Sequence, residues 1–276
     1  MIKNLKHNNF IHTAKPRSDL TGIIYPVIFG VFLIFLWQSE ALHFILSTNT
    51  FTLPLPSRIF SVISDNLPKI AKNVQATVTV SVAGLFLGSI FGYLIALFGA
   101  LSPKWGAGGL KIIAAFNAIP IVALAPVITN LTKDVSRDAS VRSMFAKILV
   151  VTLFCTAAMS VNAFRGLTEL RPFSQDLLKS YAAGKAQIFF KLRLPNSVPY
   201  IFTALRVSVP ASIISALVSE YFAEYIIGVG RQIRENIVLA QYTSAWAYIA
   251  VACLLGIVFY LLLLLCEKLF LKRRTR

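Results

Sequence analysis

The chain has 276 residues, of which 57% are hydrophobic and only 14% charged, a balance too apolar for an ordinary soluble domain. Its net charge of +16 raises the question of nucleic acid, but the bases are distributed in the positive-inside manner of a membrane protein, so no nucleic-acid partner is expected. Cys155, Cys253 and Cys266 all fall in apolar runs without paired spacing, which excludes a disulfide framework and a metal site on sequence grounds.

Six apolar runs, near residues 21–39, 74–101, 110–131, 147–164, 199–222 and 244–266, have the length and composition of membrane-crossing helices. The expected fold is all-α and integral to the membrane. Residues 1–20 would be a cytoplasmic N-terminal segment, 21–268 the transmembrane domain, and 269–276 a basic cytoplasmic tail facing anionic lipid. With both termini inside, inner segments hold 17 Lys and Arg and outer segments nine, although the outer loop expected at 129–147 runs against the trend. The first run lacks a small-x-small cleavage site and reads as an anchor.

Between the first two runs, Pro54, Pro56 and Pro68 punctuate a segment in which Ile59, Val62 and Ile63 allow a short interfacial helix. In the second run Gly84, Gly88 and Gly92 recur at every fourth position, followed by Ala96 and Ala100, a spacing that lets another helix approach closely. That neighbour would be a helix of the same chain or a subunit seam. The third run contains Asn117, Pro120 and Pro126; Asn117 would line a passage or hydrogen-bond across helices. In the fifth, Ser208, Ser212, Ser215 and Ser219 share one helical face. They would border a hydrated passage, or bond back to their own helix and stitch helices together. Glu220 and Glu224, at the end of that run, read as solvated.

Polar, basic residues 179–199, KSYAAGKAQIFFKLRLPNSVP, lie between long apolar runs. An amphipathic helix there would touch a partner, or lie on anionic lipid. Nucleophile–base pairs, HExxH, GxSxG and the phosphate loop GxxxxGK[ST] are absent, so an enzyme is not expected. No acid falls in the central third of a run, as a proton- or sodium-coupled carrier would be expected to have. Energy for uphill transport must then come from another chain; otherwise the protein is a passive channel or secondary carrier.

The same segment resembles the cytosolic signature of permease subunits of ATP-binding-cassette importers. More narrowly it is similar to the nitrate, sulfonate and taurine branch, whose relatives also carry riboflavin and thiamine-pyrimidine precursors. Leu194-Pro195 matches the family's leucine–proline pair, and Pro199 its second proline. Counting back puts Asp176 at the acid, Leu177 and Leu178 at the two alanines, and Ala182 at the glycine, with Gly184 two positions late. LPLPSRIFSVI, the run LPNSVPYIFTALRVSVPASIISALVSE and Gly228-Val229-Gly230 extend the likeness.

The resemblance implies a type I importer permease fold in a prokaryotic inner or plasma membrane, with a cytoplasmic coupling helix. Two copies would form the path for a small organic anion or a vitamin-precursor heterocycle. Each copy would contact a cytosolic ATPase, which binds the ATP, and an extracytoplasmic solute-binding protein would deliver the solute. No cofactor is expected on this chain. In the coupling segment Tyr181, Ile188, Phe189 and Phe190 would form an apolar ridge, flanked by Lys179, Lys185, Lys191 and Arg193.

Overall fold

The computed structural model describes residues 20–115, 118–223, 225 and 227–272. Asn117, Glu224, most of the N-terminal segment and the last four residues of the basic tail lie outside the described residues. Helix is the regular structure throughout the described residues, and the chain divides into two compact units, residues 1–57 and 58–276.

In the first unit, α1 (Leu20–Gln38) exposes Ile24, Phe29, Phe32 and Phe35, so it is apolar on every side, as suits contact with lipid. A short α2 (Ala41–Ile45) follows. The Gln38 side chain accepts the Ser57 N–H at 3.1 Å, and His43 Nε2 lies 2.6 Å from the Leu53 carbonyl oxygen.

Helix α3 (Pro56–Asp65) is short and amphipathic and buries Ile59. The next helix, α4 (Leu67–Leu101), has 35 residues, more than the sequence run predicts. Pro68 starts it rather than breaking it, because the missing N–H falls in the first turn, where no helical partner exists. The third expected span is not one helix. It divides into α5 (Pro103–Ala115) and α6 (Ile121–Leu131), with Pro120 extended at φ −61°, ψ 124°.

The long outer loop expected at 129–147 is also corrected. Helix α6 runs to Leu131 and α7 (Ala139–Thr168) begins eight residues later. The Asp138 carboxylate caps α7 by accepting the Ser140 N–H at 2.8 Å. The Ser140 hydroxyl, which also donates to this carboxylate at 2.8 Å, and then the Ser140 N–H hold the Asp138 carboxyl below its ordinary pKa. Beyond it lie α8 (Ser174–Ser180), α9 (Lys185–Ile188), a π-helical turn (Phe189–Arg193), α10 (Leu194–Phe222), α11 (Val229–Val238) and α12 (Tyr242–Lys272). Among the described residues four stretches are long and apolar enough to cross a membrane: Leu67–Leu101, Ala139–Thr168, Lys185–Phe222 and Tyr242–Phe270. Residues 24–38 and 121–131 are shorter apolar helices.

Side-chain pairs give the helix directions. Gly84 meets Val151, Gly88 meets Cys155, and Gly92 meets Met159, so α4 and α7 run parallel. Gly166 meets Ser197 and Tyr200, while Cys155 Sγ lies 3.8 Å from the Ser208 carbonyl, so α10 runs back along α7. Arg206 pairs with Glu267 and Phe202 with Phe270, which makes α12 antiparallel to α10. The ends of α4, α7 and α12 and the start of α10 therefore lie on one side, together with α8 and α9.

The main core lies where α4, α7 and α10 meet, around Ala96, Met159, Ala163, Leu167 and Ala204. A β-carbon at Gly88 would sit 2.6 Å from Cys155 Cβ and 2.7 Å from the Thr152 carbonyl oxygen, closer than atoms can pack. Gly88→Leu is therefore expected to destabilise the bundle by roughly 3 kcal/mol, at the upper end of ordinary overpacking. Detergent size-exclusion chromatography should show loss of the monodisperse species. A variant that elutes like the wild type would contradict the close α4–α7 contact.

Candidate functional site

The segment between α7 and α10 is built from two left-handed residues and a widened turn. Phe173 enters α8 at φ 62°, and Ala182 leaves it at φ 57°. Behind Ala182 the hydrogen bonds are those of a Schellman cap: Ala182 N–H to the Lys179 carbonyl at 2.8 Å, and Ala183 N–H to the Leu178 carbonyl at 3.1 Å. This cap requires a positive φ, which explains why a glycine suits the position. Gly184 has an ordinary φ of −69°, and its N–H bonds to Gln187 Oε1 at 3.1 Å. Leu194 and Pro195 open α10 directly after the π turn. Proline offers no N–H to the preceding turn, and helices widen or bend at such points.

The expected ridge changes membership. Tyr181 is 77% exposed and Phe190 is exposed as well, but Ile188 is only 7% exposed and Phe189 packs against the Met159–Ala163–Leu167 core. Helix geometry is the physical reason. Successive side chains on a helix point about 100° apart, so three consecutive residues cannot share a face; Ile188 and Phe189 face the bundle and Phe190 faces out. Two exposed apolar residues that sequence reasoning passed over, Phe173 and Leu177, precede Tyr181 at four-residue intervals. Their i, i+4 spacing was the available signal. Asp176 and Lys179 form an exposed pair at 3.4 Å, while Lys185 and Lys191 are exposed without closing over the ridge. Arg193 turns back and donates to the Ala100 carbonyl at 3.3 Å, tying the π turn to α4.

The serine face of α10 points inward. Ser208, Ser212, Ser215 and Ser219 are all buried, whereas Val207 and Ile214 are exposed. Ser212 and Ser219 donate to the carbonyls of Val209 and Ala216, each three residues earlier, at 2.8 and 2.9 Å. The stripe therefore does not border an open passage in this conformation. Small side chains let α10 approach its neighbours, and the Ser212 and Ser219 hydroxyls are satisfied within their own helix, whereas the buried Ser208 hydroxyl has no partner among the described residues.

At the far end of α10, Glu220 is 0% exposed rather than solvated. Its Oε2 accepts from Thr77 Oγ1 at 3.0 Å and from the Gly230 N–H at 2.9 Å. Thr77 also accepts the Val229 N–H at 2.9 Å, and Asn73 Oδ1 accepts the Gly228 N–H at 3.0 Å. Lys147 Nζ donates to the Ile227 carbonyl at 3.1 Å. Side chains from α4, α7 and α10 thus hold the glycine turn that starts α11. Gly228 adopts φ +125°, and a β-carbon there would collide with the Glu220 carboxylate. Beside this turn lies a cavity of about 310 Å³ whose lining includes Val122, Leu217, Tyr221, Phe222 and Ile233. No group of three or more metal-ligating side chains occurs among the described residues.

A family described as "Binding-protein-dependent transport system inner membrane component" matches residues 84–276. The chain is 25% identical over 252 residues to the formylaminopyrimidine transport permease protein ThiX of Halalkalibacterium halodurans, covering 91% of this chain and 96% of that one. It is 22% identical over 231 residues to the bicarbonate transport system permease protein CmpB of Synechocystis, covering 76% and 75%. Among solved structures, an inward-facing form of the MetNI methionine ABC transporter superposes with a TM-score of 0.52 at 14% identity, covering 71% of this chain and 96% of that one.

Two substitutions separate the roles of the cap residues. Ala182→Gly is expected to stabilise α8 by about 1 kcal/mol, because an L-residue in the left-handed region is strained by that amount. Gly184→Ala should change little, since a β-carbon there meets nothing within 4 Å. Hydrogen exchange of the α8 amides measures both. Faster exchange in Gly184→Ala, with no slowing in Ala182→Gly, would move the cap to Gly184.

Proposed function

The chain belongs to the binding-protein-dependent transport system inner membrane components, and from that premise we propose that α8 and its cap form the surface that grips a cytosolic ATPase. The protein is a transport component rather than an enzyme. Phe173, Leu177 and Tyr181 form an exposed apolar ridge on a polar segment that a short turn joins to the helical path from Lys185 into α10. That exposed ridge is the observation that carries the reading, and its fit is that of a short helix entering an apolar groove. The partner binds and hydrolyses ATP. Its closing and opening move α8, and the π turn passes that motion to α10 through the buried Ile188 and the core-packed Phe189.

On this reading the side carrying α8 and the end of α12 is cytoplasmic, and the excess of Lys and Arg in the terminal sequences assigns both termini to the cytoplasm as well. A second transmembrane subunit, a copy of this chain, completes the path, and a solute-binding protein docks on the opposite side near α3 and α11. The cargo is a small organic solute of the pyrimidine-precursor kind. A relative named for formylaminopyrimidine transport aligns over nearly its whole length, and the cavity beside α11 is lined by apolar and aromatic side chains that suit a ring better than an inorganic anion.

Leu177→Asp and Tyr181→Asp are each expected to weaken ATPase association about thirtyfold and abolish uptake, while membrane insertion stays normal. Ile188→Asp should instead reduce the folded yield, because it buries a charge. Co-purification from membranes, with uptake measured in parallel, reads both. Wild-type uptake and ATPase recovery in Tyr181→Asp would contradict the docking surface.

A further inference from the structure

Arg206 is the charged residue set deepest along α10, twelve residues from the helix start. Its Nε and one terminal nitrogen donate to the two carboxylate oxygens of Glu267 at 2.8 and 2.7 Å, a bidentate fork. The two partners are not equally covered: the Glu267 side chain is 12% exposed and that of Arg206 is 49% exposed. Three further N–H groups of the guanidinium meet no acceptor among the described residues. A cation half open on the flank of a membrane helix needs a counter-group, since hydrocarbon solvates none of these donors.

Depth and direction identify that counter-group. Residues 242–266 of α12 carry no formal charge, and at 1.5 Å per residue they span about 37 Å, more than the ~30 Å hydrocarbon core. Glu267 therefore lies at the membrane edge, and Arg206, bound to it, lies just inside. Side chains on a helix lean toward its N-terminus, and for α10 that is toward the same edge. Lys268 is exposed there, and the sequence continues with Lys272, Arg273 and Arg274. Below the fork, Leu262, Leu265 and Val207 present exposed apolar surface, while Phe202 and Phe270 stack on its edge side at 6.1 Å.

We propose that the α10–α12 seam at Arg206 and Glu267 binds the phosphate of an anionic phospholipid, with Arg206 donating to the phosphate and the acyl chains lying along α12. Glu267 plays two parts here. It holds the guanidinium plane in place, and it competes with the phosphate for the same positive charge.

That competition gives the test an unusual sign. The purified full-length complex, in mild detergent, is titrated with phosphatidylglycerol or with phosphatidylcholine, and bound lipid is counted by native mass spectrometry. Arg206→Gln is expected to lower phosphatidylglycerol retention about tenfold, the value of one charge-assisted pair of hydrogen bonds, with Arg206→Lys intermediate. Glu267→Gln is expected to raise retention, whereas a merely structural ion pair would make both substitutions equally damaging and neither selective for lipid. Unchanged phosphatidylglycerol retention in Arg206→Gln would overturn the proposal. So would equal retention of phosphatidylcholine, or displacement of the lipid by millimolar inorganic phosphate, which would make the site one for free anions.

Discussion

Lipid offers helices no hydrophobic reason to associate, because the acyl chains are as apolar as leucine. The fold therefore depends on how closely α4 can approach α7. Gly84, Gly88 and Gly92 remove the β-carbon at three successive turns of the contact line, so there the backbone of one helix rests on the side chains and carbonyls of the other. Helix α10 then closes on this pair with its own small face of alanines and serines. Several groups that lipid would leave unsatisfied are used inside: the Ser212 and Ser219 hydroxyls bond within their helix, and Glu220 accepts from Thr77 and Gly230. A buried carboxylate is costly unless it is hydrogen-bonded, and here it fixes the turn into α11.

The segment between α7 and α10 inherits its geometry from that core. Phe189 is packed on the residues that α4, α7 and α10 share, and Arg193 ties the π turn to the end of α4. The ridge of α8 thus adjoins an anchored base instead of a loose loop. Directly after its cap a continuous helical path runs from Lys185 to Phe222, and the first turns of that path are packed on the bundle. This is what a part that transmits motion requires, and it follows from burial rather than from the polar character of the loop.

Much of this was legible in the sequence. Runs of apolar residues identify α4, α7, α10 and α12, and the leucine–proline pair fixes the register that puts Ala182 at its left-handed position. Periodicity tells which residues share a face, but not toward what the face turns; hence the serine stripe reads equally well as a passage or as a packing seam. Composition alone marks Ile188, Phe189 and Phe190 as apolar, but which of three consecutive residues turns toward the bundle depends on where the helix docks, so Ile188 and Phe189 look as available as Phe190. Partners distant in sequence stay hidden: Glu220 needs Thr77, 143 residues away, and Arg206 needs Glu267, 61 residues away. The break at Pro120 is marked in the sequence, but proline kinks and ends helices with the same signature.

The central claim is that α8, and not the KAQIFF stretch after it, meets the motor. A photo-crosslinking amino acid placed at Tyr181 and, separately, at Ile188 tests this in intact membranes. The account predicts a crosslink from position 181 to a protein carrying ATP-binding-cassette motifs, and from position 188 only crosslinks within the chain. Crosslinking to that protein from 188, with none from 181, would contradict it.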